Sequence, residues 1–450
     1  MTVAHGLAAF ACDTIALPAS ARAATLRTVL DLIASAIAGS TTGGGRAALA
    51  AAPVAWGPGR AACWFSNERL SIPGAAFVNA AFASMLDIDD GHRIASGHPG
   101  AAVIPAVLAT AEVHGADAER ALTAIAIGYE VGVRIAGARD TGKLHTFDSG
   151  LWCGQGAAAA AGWLRGLDAG QLANAIAIAG TTAPGQTATA YTKLMGNNVK
   201  EGIPFATALG LVAVELAAAG FTGPVDFLDE EARYDRTVLT ANLGAPWLIE
   251  GTYFKPYSCC RWAHAPIDAL LQVMAERHLP ADDIESVHVE TFGPTLTLNN
   301  DLAPPTLEAA QYSVPFCLAA AAVHGAASLL PLEEPLLRDP QVLAFAPRVT
   351  LSVAADLDAM FPRSVPARIA VTTARGTTAC TVLAPRGEPV NPMDDAALLD
   401  KFATIAHGRL EPAAAATILD ALRQLKGGDL APLLAALGSA PALALAAARA

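Results

Sequence analysis

Titratable side chains are scarce in this chain, and they bunch. Asp87, Asp89, Asp90, His92 and His98 fall within twelve residues of LDIDDGHRIASGHPGAAVIP (Leu86–Pro105), although only 16% of all residues are charged. Apolar helical sequence lies on both sides. Burying such groups without partners is costly, so polar residues flanked by core-forming sequence mark a candidate site. Three readings are open at this point. The stretch is a solvated loop between helices. It is a metal site, since Asp and His are good ligands, although the closing Glu of an Asp-rich calcium loop is missing. Or it does acid–base work, with a histidine carrying protons near neutrality and a carboxylate holding its ring.

Cationic groups that could partner those aspartates stand further along. His145 lies in KLHTFDSG, just before a small-residue helix whose N-terminus favours an anion. Lys193 and Lys200 are separated by LMGNNV in a Gly/Asn-rich loop, and Lys255, Arg261 and His264 lie among aromatics in FKPYSCCRWAH. Loop lysines and a lone loop histidine are usually solvated surface. Aromatic packing around the last three suggests burial instead, and buried cations need anions. Arg261 could grip a carboxylate in bidentate fashion. There is no Rossmann fingerprint and no G-x-S-x-G elbow. GSTTGGG (Gly39–Gly45) reads as a loop without the G-K-[ST] ending of a phosphate loop. This set suits proton transfer on a small anionic substrate without a cofactor.

The elements that must position these groups are mostly helical. Apolar periodicity predicts helices over about Leu17–Gly39, Ala75–Leu86, Ala101–His114, Ala116–Gly137, Gly154–Gly166, Ala169–Gly180 and Pro204–Ala219. A turn is expected at Ser71–Gly74. The pattern changes near Phe254. Strand-like alternation appears at Ser286–Phe292, Arg348–Val353 and Ala367–Val382, the last a hairpin turning at Arg375–Gly376. Helical sequence over about Gln311–Leu330 lies between, and Ala-rich helices follow Pro392. The expectation is a mainly α protein: residues 1–264 helical, an α+β unit at 265–390, and a helical return at 391–450.

With 450 residues, more than one domain is the default. The net charge of −12 argues against nucleic acid and against anionic membranes. Hydrophobic residues make up 53% and mean hydropathy is +0.40, much of it alanine, so some apolar surface is expected to meet a partner subunit. A spanning helix needs ~20 apolar residues. The apolar runs here meet Pro105, Glu112, Glu215 or His324 first, so no membrane segment and a cytoplasmic location are expected. The seven cysteines have no C-x-x-C spacing, which speaks against a structural zinc site or a disulfide framework.

Five blocks resemble one known family in order and over most of the chain. They are LDIDDGHRIASGHPGAAVIPAVLATAE, HTFDSGLWCGQGAAAAAGWLRGL, TKLMGNNVKEGIPFATALGLVAVELAAAGFTGP, FKPYSCCRWAHAPIDALL and AQYSVPFCLAAAAVHG. They are similar to the MmgE/PrpD family, which includes 2-methylcitrate dehydratase, cis-aconitate decarboxylase and iminodisuccinate epimerase. The resemblance implies a large all-helical domain built from both chain ends with a smaller α+β lid, a homodimer, and a site without metal or organic cofactor. It puts the catalytic positions on Asp87, His98, His145, Lys193, Lys255 and Tyr312. Asp90, His92, Lys200, Arg261 and His264 are expected to line the pocket. Cis-aconitate decarboxylases carry Asp-Asp-Thr where this chain has Asp89-Asp90-Gly91, and this chain has an extra residue before His98. The substrate therefore stays open, and so do three outcomes: a lyase releasing water or CO2, an epimerase returning the proton to the opposite face, and a protein that only binds a polycarboxylate.

Overall fold

The structure is a computed structural model and describes residues 1–144, 146–184 and 197–439. It is mainly α: eighteen α-helices and three small sheets are found among the described residues. The helical body centres on Ile72–Ser84, Gly100–His114, Ala118–Gly137, Cys153–Arg165 and Ile203–Ala218, which pack on one another. Small residues make that packing close. A Cβ on Gly156 would lie 2.6 Å from the Gly128 carbonyl oxygen, so the Ala/Gly run of Cys153–Arg165 meets its neighbours almost backbone to backbone.

Two local expectations give way to helix caps. The expected loop Gly39–Gly45 shrinks to Thr41 and Thr42, because the Thr42 hydroxyl accepts from Gly45 N at 3.0 Å and starts the Gly43–Trp56 helix. Its glycines serve close approach rather than a turn: a Cβ on Gly39 would overlap the Phe82 carbonyl. The expected turn at Ser71–Gly74 is likewise the start of Ile72–Ser84, capped by Ser71. This helix carries the acidic stretch at its C-terminal end.

A four-stranded sheet supplies most of the β content of the second half. Its order is Val349–Val353, Ile284–Thr291, Ala367–Thr373, Gly376–Val382, the first pair parallel and the others antiparallel. Val287, Val289 and Thr291 alternate into the core, as strand periodicity requires, and Ile284 is buried across an irregularity in the pairing with Ala367–Thr373. The His264–Arg277 helix covers this sheet, and Val314–His324 packs beside it. The chain then returns to the helical body. Asp395–Ala406 lies on Ala19–Ser40, where Lys401 Nζ sits 2.6 Å from Asp31 Oδ1, both side chains buried. Near the end, Phe65 N donates to the Leu437 carbonyl.

Two stretches, Ala19–Ser40 and Lys200–Ala218, are long and apolar enough to cross a membrane by length and composition alone, with 67% and 61% of their apolar windows buried in the protein. Glu215 does not end the second, contrary to the expectation that charges break these runs early.

Candidate active site

The acidic stretch leaves its helix through a strained residue. Asp87 has φ 56°, in the left-handed region that non-glycine residues rarely adopt. The two-residue strand Gly91–His92 then pairs with Thr252–Tyr253. That pairing carries Lys255 to Asp87 across 168 residues of sequence: Lys255 Nζ lies 3.2 Å from Asp87 Oδ2 and 3.1 Å from its carbonyl oxygen. Lys200 Nζ is 3.5 Å from Asp87 Oδ1. Burial alone would raise the Asp87 carboxyl, but Lys255, Lys200 and His98 outweigh it and hold the pKa far below the ordinary value. Burial would depress Lys255, but Asp87 and Asp89 keep it above its ordinary value, so both stay charged.

His98 precedes the Gly100–His114 helix. Its Nδ1 meets Asp89 Oδ2 at 2.9 Å, which assigns the proton there and turns Nε2 toward Asp87 Oδ1 at 3.5 Å and Glu201 Oε1 at 3.9 Å. Desolvation pulls its pKa down, yet the Asp89 carboxylate outweighs it and the pKa stands above the ordinary value. Glu201 sits in a left-handed run, Lys200, Glu201 and Gly202, with φ 46°, 56° and 75°. The Ser149 hydroxyl donates to Glu201 Oε2 at 2.9 Å and accepts from His98 N at 3.0 Å. Tyr312 Oη donates to Glu201 Oε1 at 3.4 Å, and burial beside Glu201 and Asp87 keeps its hydroxyl protonated.

These groups converge on a cavity of about 390 Å³. Asp87, His98, Glu201, Lys255 and Tyr312 belong to its polar wall, with Arg93 and Arg261 beside them, and Trp262 and Leu298 belong to its apolar wall. The volume fits a small organic acid.

Other candidate positions are buried but elsewhere occupied. The Asp90 carboxyl accepts from Tyr129 Oη at 2.7 Å, and burial with Asp31 and Asp89 nearby pushes its pKa well up. His92 Nε2 lies 2.9 Å from the Leu248 carbonyl, and burial lowers its pKa to about 4, so it is a neutral strut. His264 Nδ1 accepts from Arg261 and its Nε2 faces the Cys259 carbonyl, and burial and Arg261 hold it neutral. None of these three lines the cavity. Lys200 does not line it either, and its Nζ donates to Gln311 Oε1 at 2.8 Å. Arg261 reaches the wall, but each of its three nitrogens already has a protein acceptor: Glu388 Oε1, the Arg386 and Pro385 carbonyls, and His264 Nδ1. The expected bidentate grip on a ligand is therefore not open to it in this arrangement. His145 and Lys193 lie outside the described residues.

Glu201, Tyr253, Arg93 and Glu388 were not singled out as site residues from sequence. Glu201 follows a candidate lysine directly and Arg93 stands inside the acidic stretch, so position alone was a signal for both. Ligand atoms of Asp87, His98 and Glu201 lie within 4.8 Å of one another, close enough to share a metal ion. The charge around them is unfavourable for one, because two lysine ammonium groups already neutralise Asp87 and would repel a divalent cation.

Residues 6–243 match the MmgE/PrpD N-terminal domain and residues 257–426 match the MmgE/PrpD C-terminal domain. The chain belongs to the MmgE/PrpD family. Among family members, a cis-aconitate decarboxylase of Aspergillus terreus is 26% identical over 411 residues, covering 82% of this chain and 81% of its own length. A human cis-aconitate decarboxylase is 28% identical over 314 residues, covering 64% of this chain and 63% of its own. In this MmgE/PrpD chain a Cβ on the residue after the Asp pair, Gly91, would lie 2.3 Å from Tyr253 Oη, so a side chain there would have to displace that ring.

Proposed function

We propose that this chain is a cofactor-independent lyase of the dehydratase or decarboxylase type. Its substrate is a small di- or tricarboxylate, and the reaction is acid–base proton transfer at a carbon next to a carboxylate. The observation that supports it most is the convergence of His98, Lys255 and Tyr312 on one cavity around an ionised Asp87. Lys255, fixed in its charged form, binds a substrate carboxylate and stabilises the enolate-like charge that develops beside it. In a dehydration, a base removes the proton from the carbon next to the carboxylate, and the hydroxyl leaves as water with a proton from His98 or Tyr312. In a decarboxylation, the electron pair left by departing CO2 takes the proton instead. His98, biased toward its charged form by Asp89, is suited to the donor role, and Asp87 orients Lys255 and His98.

The same apparatus would support epimerisation of a dicarboxylate, in which the proton returns to the opposite face and nothing departs. Release of CO2, or a new ultraviolet absorbance from an unsaturated acid, distinguishes the lyase from the epimerase. Activity is expected to survive exhaustive chelation, and loss of activity restored by a divalent ion would overturn the metal-free reading. The reading includes a homodimer, which light scattering tests.

A further inference from the structure

Beside the polar wall stands a second cationic group whose arithmetic does not balance. Arg93 and Arg261 share one carboxylate, with Arg93 Nη2 at 2.7 Å and Arg261 Nε at 3.0 Å from the same Glu388 oxygen. Among the described residues Glu388 is the one carboxylate within salt-bridge distance of either, so the trio keeps a net positive charge. Both guanidinium groups lie over the ring of Tyr253, 4.9 Å and 4.6 Å from its centroid. Gly91 makes room for that ring. The two arginines differ in what they have left to give. Arg261 is engaged at all three nitrogens. Among the described residues Arg93 has a single side-chain hydrogen bond, at Nη2, and its Nε is buried with no acceptor. Its side chain is 13% exposed and lines the catalytic cavity. A nearly buried guanidinium with unspent donors, in a hub of net positive charge, calls for an anion.

We infer that Arg93 is the specificity-determining residue of this site, reading a second carboxylate of the substrate, while Glu388 and the Tyr253 ring hold it in place. The inference rests on the carboxylate-lyase reading for its meaning, and adds that the substrate carries one carboxylate for Lys255 and another, away from the reacting carbon, for Arg93. A charge-assisted arginine–carboxylate contact in a sheltered site corresponds to about a 10–100-fold preference.

The test measures binding as well as turnover, so the two readings fail separately. Succinate, glutarate and adipate are titrated against their monoamides by calorimetry, using the full-length protein. The wild type is expected to prefer at least one dicarboxylate over its monoamide by about 10–100-fold. Arg93→Gln should lose that preference and bind the monoamide unchanged, and Arg93→Lys should restore part of it. Glu388→Gln should keep the preference. Equal affinity for diacid and monoamide in the wild type would overturn the inference, as would a preference that survives in Arg93→Gln. Equal loss in Glu388→Gln, whose amide oxygen can still accept from Arg93, would show that the preference belongs to the ion-pair hub rather than to Arg93, and would overturn it too. Discrimination by Arg93 without any turnover would leave the inference standing and sink the lyase reading.

Discussion

A histidine set beside three carboxylates is biased toward its charged form, and His98 shows how far one residue's environment decides its role. Its folded pKa is raised above the ordinary 6.5 despite burial. Its contribution to stability is therefore complete below the ordinary value and is lost as pH rises through the folded one. If His98 donates the proton, kcat falls over that same higher range. Asp89→Asn removes the strongest support for the charged ring and should move the alkaline limb of the kcat profile to lower pH. An unmoved limb would assign the donor elsewhere. His98→Gln should cost about 10²–10⁴-fold in kcat, measured on the substrate that the wild type turns over. At this scale the sequence was informative about residue types and poor about roles. Asp90, His92 and His264 drew notice by the same logic as His98, yet each is spent on a buried protein partner. Nothing in local spacing distinguishes a satisfied histidine from one that faces a cavity.

Elements explain why the working groups point inward. The helix Ile72–Ser84 ends where Asp87 turns left-handed, and Ile203–Ala218 begins after the left-handed run Lys200–Gly202. These two termini aim Asp87 and Glu201 at the same cavity. Gly202→Ala places a Cβ where φ is 75° and should destabilise the fold by roughly 1–2 kcal/mol, seen as a lower melting temperature. It should lower kcat as well, because Glu201 would shift. Unchanged stability and kcat would mean that the strain at this junction is not needed. Most helices were legible from apolar periodicity. The Gly39–Gly45 and Ser71–Gly74 segments were not, because Thr42 and Ser71 act as caps and the glycines permit close packing rather than turns. Glu388 could not have been found: 127 residues separate it from Arg261, in a segment with no periodic pattern.

For the whole molecule, the return of the chain end to the helical body is locked by a charge pair in the core. Lys401 bridges Asp31 and the Ile88 carbonyl, next to the acidic stretch. Burial raises the Asp31 carboxyl to about 6 even against Lys401. Asp31 thus takes up a proton on folding between its ordinary 3.8 and about 6, so its own contribution makes stability fall as pH rises through that interval. Lys401→Met leaves a buried carboxylate unpaired and should cost about 3–5 kcal/mol in urea unfolding at pH 7. Adding Asp31→Asn should recover part of that loss. A single variant as stable as the wild type would show that the pair does not tie the C-terminal helices down. The mainly α class with a late β unit was readable from the change of period near Phe254. The pairing of Asp31 with Lys401 was not, since it joins residues 370 apart and neither stands in a motif.

The central claim is proton transfer at a carbon next to a carboxylate. Its most direct test is incubation of the protein, without added metal or cofactor, with a panel of di- and tricarboxylates in deuterium oxide, followed by NMR. The account predicts that at least one acid loses water or CO2 and that its product or recovered substrate carries solvent deuterium at the carbon beside a carboxylate. Both changes should be abolished or slowed at least about 10²-fold in His98→Gln. Deuterium exchange with inversion and an intact skeleton would make the protein an epimerase, and binding without any exchange across the panel would contradict the claim.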